Sequence, residues 1–185
     1  MSHPFQRLAP ASARGVFIPL LLVTLAVMVI LNLVSTPLTT EAAPLGIISY
    51  ELAGSVAQAQ SILDSWDVAA QIHAAFALGF DYVFMLAYAT TIGLACVMAA
   101  AVLRSRHWPL AAAGAALAWG QWLAAGFDAV ENIALTNMLF GSVVSPWPQV
   151  AYWCAIIKFA LVFLGLVYAF YGGVVRLFIR SKPSA

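Results

Sequence analysis

Four long, predominantly apolar runs dominate the chain, at about residues 16 to 35, 72 to 103, 109 to 138 and 147 to 178. A helix needs about 20 apolar residues to cross a bilayer, and only helices and closed barrels satisfy every backbone polar group there. The runs are continuous rather than alternating with a period of two, which favours helices. Hydrophobic residues make up 64% of the 185 residues and charged residues only 8%, which is unlike a soluble domain. The sequence therefore predicts one all-α membrane domain over residues 1 to 185, a four-transmembrane-helix bundle.

The placement of the basic residues predicts how these spans are oriented. Loops 36 to 71 and 139 to 146 contain no Lys or Arg, whereas both ends of the chain and the short middle loop are basic. Because basic loops stay in the cytoplasm, we expect the N-terminus, the C-terminus and the middle loop on that side. The residues on which this expectation depends are Arg7, Arg14, Arg104, Arg106, Arg176, Arg180 and Lys182.

The first outer loop has a helical pattern of its own. Apolar residues recur from Ile48 to Trp66 at helical spacing, and Glu51, Ser55 and Gln58 lie on another face. The pattern predicts one amphipathic helix over about residues 46 to 66, lying across the outer ends of the spans. Such a helix serves either as an interfacial support or as a lid over a site, and the sequence leaves both alternatives open.

Four ionisable residues lie inside the apolar runs: Asp81 in the second, Asp128 and Glu131 in the third, and Lys158 in the fourth. Counted along each helix from the basic ends, all four lie roughly one hydrocarbon thickness above the cytoplasmic side. An unpaired charge in lipid costs about 2.5–3.5 kcal/mol, so we expect carboxyl groups to meet the ammonium group in the outer half of the membrane. Because three carboxyl groups face one ammonium group, we expect at least one of them to be protonated.

Other polar residues lie on the same helix faces and predict a single polar pocket. Tyr88 shares a stripe with Asp81, while Gln121 and Asn132 flank Asp128 on the third run. The same residues could instead hold the helices together through interhelical hydrogen bonds, each worth about 0.6–2 kcal/mol. The candidate ligand-binding residues are Asp81, Tyr88, Gln121, Asp128, Glu131, Asn132 and Lys158.

No cofactor and no metal are expected. His73 is the one histidine near the charged layer, and Cys96 and Cys154 form no C-x-x-C pair. A haem held by two histidines is disfavoured because His3 and His107 lie on the cytoplasmic side. The net charge of +1 gives no field that would recruit nucleic acid, so membrane lipids are the expected partners.

Three functions fit this pattern, and the first is favoured. It is a non-enzymatic protein whose outer-half pocket binds a small amphiphile or a partner helix, or simply fixes the bundle. The second is a membrane enzyme for a lipid-like substrate, with Asp128 and Glu131 as the candidate catalytic acid–base pair. In that enzyme Lys158 would stabilise charge and Asp81 would orient Lys158. The third is a proton-coupled carrier, for which a unit of four helices would need to form a homo-oligomer.

Three groups of residues stand out between about Pro44 and Tyr168: Tyr50-Glu51-Leu52-Ala53 with Trp66, Leu78-Gly79-Phe80-Asp81-Tyr82 with Tyr88-Ala89, and Asp128-Ala129-Val130-Glu131-Asn132 with Lys158-Phe159. Together they resemble a family of small four-helix bacterial membrane proteins with no established activity, and the Asp-x-x-Glu-Asn element is the most specific part. The resemblance implies a multi-pass protein of the bacterial cytoplasmic (inner) membrane and implies no chemistry. In helix number and intramembrane acidic residues the chain is also distantly similar to the sterol-isomerase and sigma-2 receptor group, whose His and Glu catalytic pattern is not matched here.

Overall fold

The computed structural model describes residues 2–178, and these are helical with no strands. Two 3-10 helices, Pro4–Arg7 and Thr36–Leu38, precede and follow the first long helix. Arg180 and Lys182, which contribute to the predicted orientation, lie outside the described residues. The α-helices are α1 (Pro10–Ser35), α2 (Ile47–Glu51), α3 (Val56–Asp64), α4 (Val68–Ser105), α5 (Gly114–Leu139) and α6 (Trp147–Phe178).

Three stretches of helix are long and apolar enough to cross a membrane. They are Pro10–Leu38, Val68–Ser105 and Trp147–Phe178, and an 18-residue window within each has a mean hydropathy of 2.7, 2.0 and 2.2, respectively. The prediction of an all-helical fold with helices suited to a membrane is therefore confirmed. α5 has 26 residues but falls outside this group. Its polar side chains, Gln121 and the Asp-x-x-Glu-Asn element, lower its hydropathy, so the fourth span stays a prediction.

The predicted single helix over about residues 46 to 66 is wrong in its continuity, because the structure has two short helices there. α2 ends at Glu51 and α3 begins at Val56. Gly54 between them has a φ of +68°, in the left-handed region that favours glycine. Ser55 then caps α3, since its side chain accepts a hydrogen bond from Gln58 N at 3.2 Å. Gly54 and Ser55 thus mark the break between the two helices. The apolar spacing continues across them and so did not indicate the break.

The chain divides into two compact units, and each long helix contributes to both. The unit formed by Met1–Thr24, Ala87–Ala124 and Phe159–Ala185 is called the arginine unit here, because its only charged residues within the described range are five arginines. The unit formed by Leu25–Leu86 and Ala125–Lys158 is called the acidic unit, because it contains all seven Asp and Glu residues of the chain.

Small residues bring the helices of the arginine unit close together. A Cβ added to Gly172 of α6 would meet Ala99 Cβ, and one added to Gly114 of α5 would meet Ala100 Cβ, both on α4. Gln121 Nε2 on α5 donates to Leu161 O on α6 at 2.9 Å. This unit is therefore held by the close backbone approach that small residues permit in membrane helices, together with side-chain hydrogen bonds to the backbone.

The acidic unit has a core in which the loop between α1 and α4 is buried against the long helices. Tyr50 and Ile62 are 0% exposed and Trp66 is 3% exposed. Tyr50 OH donates to Leu135 O at 3.1 Å, and Trp66 Nε1 donates to Leu38 O at 2.9 Å. The loop is thus packed as a structural cover of this unit, rather than extended along a surface.

Candidate functional site

A buried ion-pair cluster surrounds the ammonium group of Lys158 in the acidic unit. Lys158 Nζ lies 2.9 Å from Asp128 Oδ1 and 2.9 Å from Glu131 Oε1, and it donates hydrogen bonds to both. The side chains of the three residues are 8%, 3% and 0% exposed, respectively. The predicted meeting of α5 carboxyl groups with the ammonium group of α6 is therefore present in the structure. Asp128 and Glu131 reach one partner because residues three apart lie on the same helix face.

Glu51 completes the cluster, and the sequence interpretation missed this role. Its Oε2 lies 3.4 Å from Lys158 Nζ, and its side chain is only 12% exposed. Because α2 ends at Glu51, the side chain turns into the unit instead of following the polar face of a continuous helix. The sequence signal that could have found it is the place of Tyr50-Glu51-Leu52-Ala53 in the family resemblance. The count of charges inside the apolar runs did not indicate a role for Glu51, because it already gave three carboxyl groups for one ammonium group.

Burial determines the ionisation of Glu51, which lies in the loop outside the long helices. Burial raises the pKa of Glu51 above its usual value, and the positive charge of Lys158 opposes that shift. A buried carboxylate that is not fully compensated tends to take up a proton. The cluster has three carboxyl groups for one ammonium group, so the loop carboxyl is a natural place for a proton to bind.

Asp81 lies beside the cluster but has a different partner from the one the sequence predicts. Its Oδ2 accepts a hydrogen bond from Asn132 Nδ2 at 2.8 Å, and Asn132 also donates to Leu78 O at 3.4 Å. All three ion pairs that are present among residues 2–178 involve Lys158, and Asp81 takes part in none of them. Asp81 therefore has an amide donor and forms no ion pair within residues 2–178, although the charge of Lys158 is near enough to act on it.

Asp81 lies where α4 and α5 are neighbours and is only partly buried. Tyr82 OH donates to Ala129 O at 3.5 Å across the two helices. On its own face of α4, Leu78 and Met85 are each 4% exposed. Exposed apolar residues lie on the adjoining faces, with Val83 and Val130 each 47% exposed. The carboxyl group is thus partly accessible beside helix faces that are apolar.

Both carboxylate oxygens of Glu131 lie close to the ammonium group. Lys158 Nζ is 2.9 Å from Oε1, to which it donates, and 2.9 Å from Oε2, which has no well-aligned hydrogen-bond donor. The side chains of Glu51 and Glu131 also interact with each other. The cluster therefore places two glutamate carboxyl groups next to each other and to one cation, an arrangement that suits the sharing of a proton.

Two of the predicted ligand-binding residues belong to the arginine unit rather than to the unit that contains Lys158. Gln121 is 0% exposed, and its side chain donates to Leu117 O at 3.3 Å and to Leu161 O at 2.9 Å. Tyr88 is also buried in that unit. Helical spacing placed Gln121 and Tyr88 on the same helix faces as the acidic residues. In the structure the side chain of Gln121 donates to backbone carbonyl groups instead of to an acidic residue.

His73, the histidine near the charged layer in the sequence, contacts the backbone of a neighbouring helix. His73 Nδ1 lies 2.9 Å from the carbonyl oxygen of Val34, so its ring contacts the backbone of α1. Within residues 2–178 no three His, Cys, Asp or Glu residues have an arrangement that could hold a metal ion. Both cysteines are buried and free.

Comparison with known proteins gives no relative for this chain. No family model matches it, and no curated protein or solved structure matches it either.

Proposed function

We propose that this chain is a non-enzymatic, multi-pass protein of the bacterial inner membrane that binds a small amphiphile with a cationic head group at Asp81. The observation that carries this proposal is the carboxyl group of Asp81, which is partly exposed, has an amide donor and forms no ion pair within residues 2–178. An intramembrane carboxyl group is expensive, and such groups mark functional sites. A ligand ammonium group would offset that cost by a charge-assisted hydrogen bond.

Four spans with cytoplasmic termini form part of this proposal, and the burial pattern of α5 supports the fourth span. At 1.5 Å per residue, its 26 residues extend about 39 Å, more than the roughly 30 Å hydrocarbon core. Four of its polar side chains are 0–2% exposed, Thr136 and Asn137 near its end are partly exposed, and the large exposed side chains are apolar or tryptophan. The surface that α5 would show to lipid is therefore apolar except near its end. The four buried polar residues are Gln121, Asp128, Glu131 and Asn132. The large exposed residues are Trp119, Trp122, Leu123, Val130 and Ile133.

The Lys158 cluster has a supporting role in this proposal. It neutralises part of the negative charge of the acidic unit, whose formal charge from seven acidic residues and one lysine is −6. The negative charge that remains favours a cationic ligand over an anionic or neutral one. Substrate access also favours Asp81 over the predicted catalytic pair, because the side chains of Asp128 and Glu131 are 3% and 0% exposed.

Binding of dodecylamine to the purified full chain tests the proposal. Its ammonium group stays charged between about pH 5 and pH 8, as that of lysine does. In native mass spectrometry we expect dodecylamine to bind more tightly than dodecanol, which has the same chain length and no charge. Asp81→Asn should weaken dodecylamine binding by about tenfold or more, the effect of losing a charge-assisted hydrogen bond. The matched control is Asp64→Asn, which removes one charge from an exposed position of the same unit.

Two outcomes would overturn the proposal. One is equal binding of dodecanol and dodecylamine, and the other is an Asp81→Asn variant that binds dodecylamine as tightly as the original chain. A folded state shared by both variants, checked by circular dichroism, keeps the comparison valid.

A proton-coupled carrier is the second candidate, favoured by the surplus of carboxyl groups around Lys158. Uptake of a cationic solute into vesicles that contain the protein would then depend on a pH gradient. Binding without such uptake would leave the amphiphile-binding function and exclude the carrier.

A further inference from the structure

A groove in the arginine unit has a charge opposite to that of the proposed amphiphile site. Its volume is about 520 Å³, within the range of about 300–1,000 Å³ that is typical of small-molecule sites. The N-terminal segment forms one wall, with Phe5 and Leu8, and α4 forms another, with Val97 and Met98. The lining also includes three arginines from three different helices, Arg14 of α1, Arg104 of α4 and Arg176 of α6.

The five arginines of this unit that lie within residues 2–178 have no acidic partner there. Every ion pair within that range involves Lys158, and all seven acidic residues belong to the acidic unit. Arg106 lies outside the lining of the groove but in the same unit. Its Nη2 donates to Arg176 O at 3.4 Å, and its buried Nη1 has no hydrogen-bond partner among the described residues. Buried guanidinium nitrogens normally have acceptors, so the described arginines of this unit lack both carboxylate partners and part of their hydrogen bonds.

The N-terminal segment that closes the groove is held in place by specific contacts. Trp119 Nε1 donates to Ser2 O at 3.0 Å, and the rings of His3 and Trp119 lie 4.8 Å apart in an edge-on arrangement. His3 also caps the first 3-10 helix by accepting from Phe5 N at 3.3 Å. The apolar wall is therefore a built feature of the unit and lies next to exposed arginines.

We propose that this groove binds an anionic phospholipid, with the phosphate held by Arg14, Arg104 and Arg176 and the start of the acyl chains lying on Phe5, Leu8 and Val97. Arginine suits this role because its planar guanidinium group donates two parallel hydrogen bonds to a phosphate. Basic pockets between membrane helices on the cytoplasmic side are a recurring type of site for anionic head groups. An apolar lining favours a lipid over a free phosphate ion, which would gain nothing from those walls.

Native mass spectrometry of the full chain in dodecyl maltoside tests this site. The probes are dioleoylphosphatidylglycerol and dioleoylphosphatidylcholine, which have the same acyl chains and differ in head-group charge. We expect phosphatidylglycerol to be retained preferentially. Each of Arg14→Gln, Arg104→Gln and Arg176→Gln should weaken its binding by about fivefold, the effect of one basic residue at an anionic membrane surface. Arg7→Gln is the matched control, because it removes the same charge from an exposed arginine outside the lining.

Two further measurements complete the test. One distinguishes a lipid from a free phosphate ion, and the other separates the effect of charge at Arg104 from an effect on folding. Inorganic phosphate at millimolar concentration should not displace phosphatidylglycerol, and displacement would overturn the assignment to a lipid. Arg104→Lys keeps the charge but loses the two parallel donors, so it should bind phosphatidylglycerol more tightly than Arg104→Gln and less tightly than the original chain. Equal binding by the Lys and Gln variants would mean that charge at this position does not hold the lipid, which would overturn the site. Equal retention of the two lipids, or equal loss in Arg7→Gln, would also overturn it.

Discussion

The acidic unit and the arginine unit differ in whether their cationic side chains are buried in ion pairs or exposed. In the acidic unit Lys158 is buried among Glu51, Asp128 and Glu131, within 3.4 Å of each. In the arginine unit four of the five described arginines are exposed and none forms an ion pair within residues 2–178. A charge that is buried must find its partner inside the chain, whereas an exposed charge is free to bind partners outside it. The two kinds of ligand site proposed above follow from that difference.

Removal of the buried cation gives the largest expected effect and tests the comparison most directly. Lys158→Met should lower the free energy of unfolding by about 3–5 kcal/mol at about pH 8, because carboxylates remain buried without their partner. The loss should be smaller at about pH 5, where those carboxyl groups can be neutralised by protons. Unfolding by SDS in mixed micelles measures the difference.

Arg104→Met is the control for that experiment, since it removes an exposed cation from the arginine unit. A change of less than about 0.5 kcal/mol is expected for it. If both substitutions cost the same, or if Lys158→Met has no effect at either pH, the internal ion pairs do not distinguish the acidic unit.

A packing substitution in the arginine unit gives the next effect in size. Gly172→Ala adds a Cβ that would collide with Ala99 of α4. The added Cβ would lie 2.7 Å from the Cα of Ala99. Overpacking of this kind costs about 1–3 kcal/mol, which we expect as a lower free energy of unfolding in mixed micelles. Gly173→Ala on the same helix is the control, because nothing lies within 4 Å of its added Cβ.

The expected sign reverses for that control. Alanine is the better helix former, so Gly173→Ala should be neutral or stabilise the protein by up to about 1 kcal/mol. An unchanged stability in Gly172→Ala would mean that this unit is not held by close approach of small residues, and its contrast with the acidic unit would weaken.

Titration of Glu51 gives the smallest effect, a change in the pH dependence of stability. Burial raises the pKa of Glu51, so between its unfolded and folded values the folded state binds more protons than the unfolded state does. Stability should therefore fall as pH rises through that window. Glu51→Gln cannot titrate, and we expect a shallower decline between about pH 5 and pH 8 in the same unfolding assay.

Glu41→Gln is the control because Glu41 is exposed. We expect its free energy of unfolding to depend on pH as steeply as that of the original chain. A slope that is unchanged in Glu51→Gln would show that the loop carboxyl group does not take part in the charge balance of the acidic unit.

Sequence patterns predicted the long helices well because apolar length is a local property. The predicted fourth run, 147 to 178, coincides with α6, while α5 begins at Gly114 instead of about residue 109. Pro109 and the positive φ of Leu110, +67°, delay that start. Periodicity failed in the loop, where the backbone conformation of Gly54 breaks the helix although the apolar spacing continues.

The candidate site was predictable only in part, because helical spacing fixes the face of a side chain but not its partner. The pairing of Asp128 and Glu131 with Lys158 followed from charge and depth, since a lone buried ammonium group requires carboxylates. Asp81 lies at an equivalent depth, yet an amide donor is nearer to it than the ammonium group. Gln121 has backbone acceptors on α5 and α6, a result that side-chain types alone cannot give.

The sequence by itself determined that this protein is helical and built for lipid, because hydrophobic length and the cost of buried backbone groups leave no other solution. It also determined that the only lysine in the apolar runs needs carboxylate partners. Tertiary structure alone decided that Glu51 joins those partners, that Asp81 bonds to the amide of Asn132 instead, and that three arginines share one apolar groove. The physical reason is that contacts between segments far apart in the chain depend on how the backbone turns and packs, and local spacing does not carry that information.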